Sequence, residues 1–233
     1  AYTSADAANR PGVDAHKPVI SNVTFSPSSG VLAIGDTATA TISSDGPNYS
    51  AATITINGVD VSGTLTDNLD NTYTISYTVQ EGQTDILDAN DLPVDISLND
   101  PAGNVSDAYT SADAANRPGV DAHKPTSPGD LSLSSKTNLS VTLNFGEQTT
   151  ESNFLEYKIF YKIGTSSVSE SDSEFNSGND SSLGFINYLG STSTTITNLN
   201  SGTEYVFNIW AYDLAGNKAS ASELNVMTAH VPS

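Results

Sequence analysis

The sequence predicts an all-β chain of two tandem antiparallel β-sandwiches joined by a short linker. Short runs rich in Val, Ile, Thr and Tyr alternate with polar residues, and Gly, Asp, Asn or Pro interrupt them at intervals of about eight to twelve residues. No stretch before residue 126 supports a helix longer than a turn. The segment AYTSADAANRPGVDAHKP stands at residues 1–18 and again, unchanged, at residues 108–125. Such a spacing, about one small domain long, indicates an array of domains.

The repeated segment predicts the domain boundaries. The residues that follow its two copies differ, so only the end of a repeating unit is present twice. We therefore predict that residues 1–17 are the last strand and linker of a preceding repeat. Residues 18–125 should be one sandwich with a C-terminal linker, and residues 126–233 a second, unrelated domain. The linker prediction rests on residues 113–124, which are rich in Ala, Asp, Asn, Pro and Gly and lack hydrophobic periodicity.

The charge balance restricts the possible partners. The chain has 8 Lys and Arg against 27 Asp and Glu, a formal net charge of −19. Such a chain repels nucleic acid and anionic membranes, so we expect neither as a partner. Residues 18–107 contain 12 carboxylates and no Lys or Arg. There is no cysteine and no apolar run long enough to cross a bilayer, which excludes disulfides, thiolate chemistry and direct membrane insertion within this segment.

Alternation locates the strands of the first sandwich. In TYTISYTV one face carries the aromatic and aliphatic residues Tyr73, Ile75, Tyr77 and Val79. Asn57-Gly58 suits a tight hairpin turn, and residues 67–71 form a polar connection. The predicted strands are residues 19–25, 37–43, 51–56, 73–79, 93–98 and 105–111.

Three motifs suggest a family for this sandwich: SYTVQEGQTD at residues 76–85, LNDPAGN at 98–104 and NRPGVDAHKP at 116–125. In this order and spacing they resemble the Ig-like tandem repeats of large bacterial surface proteins, the adhesins. The resemblance covers most of residues 18–125. It implies an extracellular or cell-surface location and domains that calcium often stiffens.

Clustered carboxylates raise the possibility of a calcium site. Calcium takes six to eight oxygen ligands, which a loop dense in Asp and Asn can supply. The alternative is a solvated loop, since no EF-hand spacing is present. The last of the candidate ligands stands in the repeated segment, where it would serve a junction between domains. The candidates are Glu81, Asp85, Asp88, Asp91, Asp100 and Asp121.

The second domain shows a more specific pattern. SVTLNF at residues 140–145 and NFLEYKIFYKIG at 153–164 predict strands, the second with Leu155, Tyr157, Ile159 and Tyr161 in register on one face. LNSGTEYVFNIWAYDLAGN at residues 199–217 resembles the fibronectin type III family. Leu199, Gly202, Thr203 and Tyr205 match the tyrosine corner of that family. Phe145 stands where the family usually has a core tryptophan.

Trp210 and Tyr212 are the candidate binding residues. If Tyr205, Phe207, Ile209 and Ala211 face the core, alternation turns these two outward. An outward Trp beside a Tyr suits a glycan-binding or protein-binding surface. The alternative is that the long connection at residues 164–191 covers Trp210. Its apolar residues also need a packing site: Phe175, Leu183, Phe185 and Tyr188.

Nothing in the sequence predicts catalysis. The histidines, His16, His123 and His230, fall in linkers or the terminal tail, which excludes a buried Ser-His-Asp triad and a histidine-built zinc site. The glycines in the Asp-x-Ala-Gly-Asn stretches at residues 100–104 and 213–217 should take a positive φ in hairpin turns, so these are not phosphate loops.

The main functional hypothesis is a non-catalytic stalk of a long extracellular surface protein, acting in adhesion or surface display, with neighbouring domains of the array as partners. A second is an accessory module of a secreted polysaccharide-degrading enzyme that binds a surface glycan or protein through Trp210 and Tyr212. A third is a subunit of a surface layer or filament. In that case residues 1–9, a spare strand, would add to the exposed sheet edge of a neighbour.

Overall fold

A computed structural model describes residues 12–88, 90, 92–110 and 117–231. Its regular structure is β-strand apart from short 3-10 helices, so the predicted all-β class is confirmed. The chain divides into two compact units, Ala1–Ala122 and His123–Ser233. Among the described residues, no helix has the length and apolar character needed to cross a membrane.

The first unit contains nine strands within the described residues. They are β1 Ile20–Ser26, β2 Val31–Leu32, β3 Thr37–Ser44, β4 Ser50–Ile56, β5 Val59–Asp60, β6 Thr66–Asp67, β7 Thr72–Thr78, β8 Val94–Asn99 and β9 Gly119–Val120. Two antiparallel sheets have the orders β1-β3-β7-β6 and β5-β4-β8, and β2 pairs with β9 in parallel. Both sheets contribute to one hydrophobic core.

The tyrosines of β7 show why the predicted alternation holds. Tyr73 and Tyr77 are fully buried together with Ile75, on the face that the sequence predicts. The Tyr73 hydroxyl donates to the Gly46 carbonyl at 3.0 Å, and the Tyr77 hydroxyl donates to Gln83 Oε1 at 2.7 Å. Burial of these rings is therefore favourable, because their polar ends keep hydrogen-bond partners.

The predicted strand at residues 105–111 is wrong for the residues described. Only isolated bridges form there, Asn99 with Val105 and Ile96 with Tyr109. The Ser106 hydroxyl accepts a hydrogen bond from the Leu98 amide at 3.0 Å, so a side chain takes the place of a backbone carbonyl in the ladder. Residue 111 lies outside the described part.

The second unit is built from eight strands in the part that the structure describes. They are β10 Ser132–Lys136, β11 Ser140–Asn144, β12 Phe154–Ile163, β13 Ser173–Phe175, β14 Ser193–Thr197, β15 Glu204–Asp213, β16 Lys218–Ser220 and β17 Leu224–Met227. One sheet has the order β10-β11-β14 and the other the order β13-β12-β15-β16, with β17 also pairing with β15.

A β-bulge changes which residues of β12 enter the core. The pairing of β12 with β15 shifts between Phe154 and Glu156. Leu155 is consequently 45% exposed, contrary to the predicted register, and Phe154 packs against the core in its place. Tyr157 and Ile159 are fully buried, as predicted.

An aromatic stack fills the layer where the core tryptophan is missing. Phe145 lies parallel to Tyr188 with ring centroids 4.2 Å apart, and Tyr188 lies 4.4 Å from the ring centroid of Tyr157. Tyr188 belongs to the long connection at residues 164–191, whose Leu183 is also fully buried. This connection therefore supplies part of the core.

The tyrosine corner forms as the sequence predicts. The Asn200 amide donates to the Tyr205 hydroxyl at 3.0 Å, which ties the start of β15 to the backbone before it. Gly202 adopts a φ of 58°, in the left-handed region that favours glycine. The corner thereby fixes the entry of the chain into the central strand of the larger sheet.

Candidate functional site

The repeated segment contains the most distinctive site of the first unit. We name residues 117–122 of its second copy the closing strand. All six are buried, and Val120 is only 1% exposed. The sequence predicts a linker here, and the structure corrects that prediction, because β9 pairs with β2 and Val120 and Ala122 join the hydrophobic core.

The closing strand lies in a groove between two pieces of backbone. We name this the closing groove; it consists of residues 30–32, residues 82–88 and Leu92. On one side, the Gly119 amide donates to the Gly30 carbonyl at 2.7 Å and the Asp121 amide to the Leu32 carbonyl at 2.9 Å. On the other side, the residue between these two pairs with Ile86. The Val120 amide donates to the Ile86 carbonyl at 2.7 Å, and the Val120 carbonyl accepts from the Ile86 amide at 2.8 Å.

Both ends of the closing strand are also held. The Ala122 amide donates to Asp85 Oδ1 at 2.8 Å, and the Ala122 carbonyl accepts from the Gly82 amide at 2.8 Å. At the other end Arg117 Nη1 donates to the Leu92 carbonyl at 2.6 Å. Every backbone amide from residue 119 to residue 122 therefore donates to a groove atom.

Gly119 gives the closing groove its sequence specificity. A Cβ at this position would lie 2.6 Å from the Ile86 carbonyl oxygen and 2.7 Å from the Asp88 nitrogen. Both neighbours are backbone atoms and cannot rotate away, so a larger residue would push the strand out of the groove. Glycine is required here because two backbones approach closely.

The first copy of the same letters has a different environment. Val13, which corresponds to Val120, is 89% exposed, and no atom lies within 4 Å of a Cβ added at Gly12. Among its described residues, this copy is held by a hydrogen bond from the Asn104 side chain to the Asp14 carbonyl at 3.2 Å, by His16 Nε2 2.7 Å from Asp45 Oδ2, and by the pairing of Lys17 with Asp107. Residues 1–11, including the predicted spare strand at 1–9, lie outside the described residues.

The two Asp-x-Ala-Gly-Asn stretches form matching turns that contact the copies. In the first, Asp100 Oδ1 accepts from the Asn104 amide at 2.8 Å, and Gly103 has a φ of 92°. The Asn104 side-chain amide donates to the His16 carbonyl at 3.0 Å. Hydrogen bonds from this side chain, and then from backbone amides, hold the pKa of Asp100 below its usual value.

The turn in the second unit repeats this arrangement. Asp213 Oδ1 accepts from the Asn217 amide at 2.8 Å, and Gly216 has a φ of 100°. The Asn217 side chain donates to the His123 carbonyl at 3.4 Å. His123 holds the same place in the second copy that His16 holds in the first. In each unit the turn therefore binds the histidine carbonyl of the copy that precedes it.

Two of the predicted calcium ligands bind backbone amides at the closing groove. Asp85 accepts the Ala122 amide, as described above. Asp88 Oδ1 accepts the Gly30 amide at 2.8 Å, which ties the two sides of the groove together. These carboxylates therefore have a structural role that no pattern in the sequence indicates.

The other candidate ligands are dispersed. Asp100 is engaged in its turn, Asp121 is 7% exposed within the closing strand, and Glu81 is exposed. Asp91 lies outside the described residues. Within the described ranges, no group of three or more His, Asp or Glu side chains is placed to hold a metal ion.

Calcium binding remains a prediction from the sequence, and thermal unfolding in CaCl₂ and in EGTA tests it. If the prediction is right, we expect a higher midpoint in CaCl₂ than in EGTA, because a ligand that binds the folded state stabilises it. An unchanged midpoint would contradict the calcium prediction. MgCl₂ at equal ionic strength is the control. A midpoint raised specifically by calcium would show that the calcium prediction is right.

The second candidate site lies on the outer face of β15. Tyr205, Phe207, Ile209 and Ala211 face the main core, as alternation predicts. Trp210 and Tyr212 fall on the opposite face, but Trp210 is half-buried and Tyr212 is only 9% exposed, because Val168 and Glu170 of the long connection contact this face. Trp210 packs against a small second cluster of buried residues, which are Phe160, Val168, Val206 and Tyr212.

Charged side chains cover the two rings. Lys158 Nζ lies 5.3 Å from the ring centroid of Tyr212, and Lys218 Nζ lies 5.6 Å from that of Trp210. Lys218 also pairs with Glu170, whose Oε1 accepts the Tyr212 hydroxyl at 2.6 Å. The ring faces on which a sugar would stack therefore already contact ammonium groups.

The titration behaviour of this cluster follows from its contacts. Burial, and then the hydrogen bond to Glu170, raise the pKa of Tyr212 well above its usual value. Burial also opposes ionisation of Glu170, but the hydrogen bonds from Lys218 and Tyr212 outweigh it and lower the pKa of that carboxyl. At neutral pH Glu170 is therefore ionised and Tyr212 is neutral.

Comparison with known proteins gives one family match and one similar curated protein. Residues 126–226 match the model of the fibronectin type III domain. Chitinase A1 of Niallia circulans is 27% identical over 137 residues, which cover 58% of this chain and 17% of the chitinase. The chain thus corresponds to less than a fifth of the length of that protein.

Two solved structures illustrate the similarity to known folds. The FN1–FN3 domains of chicken CNTN1 have a TM-score of 0.45 at 15% identity, over 89% of this chain and 68% of that structure. Domains from titin have a TM-score of 0.46 at 15% identity, over 91% and 68%. The family model and the tyrosine corner at Tyr205 together identify residues 126–226 as a fibronectin type III domain.

Proposed function

We propose that this chain is a non-catalytic stalk segment of a long extracellular surface protein that acts in adhesion or surface display. Its Ig-like first sandwich and its fibronectin type III domain would act as spacers in series. Neighbouring domains of the same array would be its direct partners.

The two environments of the repeated segment carry this proposal. Residues 117–122 close the first sandwich, with Val120 only 1% exposed, whereas the equivalent Val13 is 89% exposed. The first copy has the sequence of a closing strand, glycine included, but no sandwich of its own among the described residues. A preceding repeat of the same kind would give it one.

The charge and the available side chains agree with a spacer. A net charge of −19 and the absence of cysteine suit a soluble segment outside the cell that needs no disulfides. His16 and His123 lie at the domain entrances, where their backbone carbonyls are bound by Asn104 and Asn217. The repeated turn gives both domains the same kind of chain entry, as expected of modules in series.

Similarity to chitinase A1 favours a second candidate function. In that case the chain would be an accessory module of a secreted polysaccharide-degrading enzyme, with Trp210 and Tyr212 at the binding surface. The lysines over both rings count against this alternative, because a sugar would have to displace them.

Mechanical unfolding tests the spacer role. Pulled from its two ends, the chain should unfold in two separate events, because each unit has its own hydrophobic core. Each event should lengthen the chain by about 35 nm, since extended chain spans about 3.6 Å per residue and a sandwich contains roughly 100 residues. A single event of twice that length would contradict independent spacers.

Binding to insoluble chitin, cellulose and a glycan array separates the two candidates. We expect no saturable binding. Binding that Trp210→Ala abolishes would instead establish the accessory module. Leu214→Ala is the matched control, because Leu214 is 68% exposed close to Trp210 in sequence and contributes no ring. A loss seen with both variants would indicate a general surface effect.

A further inference from the structure

The closing groove recognises a short sequence that this chain carries twice. Residues 10–15 and 117–122 are both Arg-Pro-Gly-Val-Asp-Ala. The groove satisfies the backbone amides from Gly119 to Ala122, buries Val120 and excludes any side chain at Gly119. Each feature depends only on residues that both copies share. The hydrogen bonds and apolar burial that the second copy makes in the groove would therefore be available equally to the first copy.

The first copy cannot reach the groove of its own domain while β1 stays paired. The first copy leads into β1, whose first residue Ile20 pairs with Ser44 at the end of β3. The groove residues 82–88 follow Val79, which lies beside the start of β3. The eight residues of β3 separate these two ends by about 23 Å, at roughly 3.3 Å per step. The five steps from Ala15 to Ile20 span at most about 18 Å.

We infer that the first copy is a second ligand of the closing groove, and that its receptor is the groove of another molecule of this chain. Residues 12–15 of the donor would take the places of residues 119–122 in the acceptor. Val13 would then pass from 89% exposed to the buried site that Val120 occupies at 1%. The inference concerns a chain in which the first copy is as exposed as it is here, since the preceding repeat of the proposed stalk would hold these residues in its own groove.

Geometry determines the kind of assembly. The donor segment and the groove lie at opposite ends of the first sandwich, so a chain that donates its first copy can still accept a third chain once its own closing strand has left the groove. Such a heterologous contact forms a ring where the rotation between molecules closes and an open chain of molecules where it does not. The contact would therefore run from the N-terminal end of one sandwich to the groove end of the next.

Competition determines when the exchange occurs. The groove's own strand is covalently attached, which gives it an effective concentration in the millimolar range, while a second molecule is present at micromolar concentration. The attached strand therefore occupies the groove in the unaltered chain. Exchange becomes measurable once that strand can no longer enter.

Paired glycine substitutions in the full chain test the inference. Gly119→Val blocks the attached strand, because its side chain meets the Ile86 and Asp88 backbone. Gly12→Val has open space around it in the single chain, so it should behave like the unaltered protein. The double variant has no strand that fits the groove.

We expect the Gly119→Val chain to keep a folded first domain by forming oligomers of at least twice the monomer mass. The double variant should be monomeric, and its first domain unfolded. Light scattering after size exclusion gives the mass, and calorimetry gives the unfolding of each domain. Equal mass and equal unfolding of the Gly119→Val and double variants would overturn the inference.

A peptide provides a second, independent arm. Residues 10–18 as a synthetic peptide, added to the double variant, should restore the unfolding transition of the first domain in a saturable manner. The same peptide with valine at the position of Gly12 should restore nothing. Failure of the unaltered peptide to restore the transition would show that the groove does not accept the first copy.

Discussion

Val120→Asp, introduced into a chain that already carries Val13→Asp, should abolish the unfolding transition of the first unit. Val120 is 1% exposed in the core, and burial of a carboxyl group there costs about 2–7 kcal/mol even when it is protonated. Loss of the valine burial adds about 1.5–3 kcal/mol. The sum is comparable to the whole stability of a small domain, about 5–15 kcal/mol.

Val13→Asp alone is the matched control, because it makes the same substitution in the same local sequence. Val13 is 89% exposed, so this variant should stay within about 0.5 kcal/mol of the unaltered chain. It also removes the spare strand that a second molecule could donate. Calorimetry resolves the outcome, with the second unit as an internal reference. A first-unit transition that survives in the double variant would mean that the closing strand is dispensable.

The closing strand shows where local sequence patterns are insufficient. Pro118, Gly119 and Asp121 are residues typical of linkers, and they led to the prediction of a linker at 116–125. In the structure the glycine allows a close backbone approach, and Val120 and Ala122 alternate into the core. Two apolar residues are too few to predict a strand, and the partner strand lies almost ninety residues earlier in the chain.

Longer strands were predictable because alternation over seven or more residues averages out local exceptions. β7 buries the residues that the pattern predicts, and β15 buries its predicted core residues together with Val206, Asn208 and Tyr212 on the other face. The bulge at Phe154 was not predictable, because its cause is the pairing with β15 and not the composition of β12. For the same reason the sequence placed Trp210 on an outer face but could not show which side chains cover it.

The calcium candidates illustrate a related limit. Density of Asp in a loop indicates only that many carboxylates are near one another in sequence. Asp85 and Asp88 bind backbone amides across the closing groove, and these donors come from residues 122 and 30. A carboxylate can accept a hydrogen bond from a distant amide as readily as it can bind a cation. Composition alone therefore could not distinguish a structural carboxylate from a calcium ligand.

Tyr188→Ala should destabilise the fibronectin type III domain by about 3–5 kcal/mol, the usual cost of removing a large buried aromatic ring. Tyr188 is 4% exposed and lies between Phe145 and Tyr157, with centroid distances of 4.2 and 4.4 Å. Its removal would leave a cavity in the layer where the family usually has a tryptophan. Urea unfolding followed by the fluorescence of Trp210, the single tryptophan, measures this domain alone.

Two further variants separate the possible causes of that loss. Phe185→Ala removes an aromatic ring from the same connection, but Phe185 is 46% exposed, so the effect should stay within about 0.5 kcal/mol. Tyr188→Phe keeps both ring contacts and should cost far less than the alanine variant. If Tyr188→Ala and Phe185→Ala were equally mild, the long connection would be a surface excursion and the aromatic stack would not support the core. A large loss at Tyr188 alone would instead show that this domain replaces the family's tryptophan with a ring supplied by its longest loop.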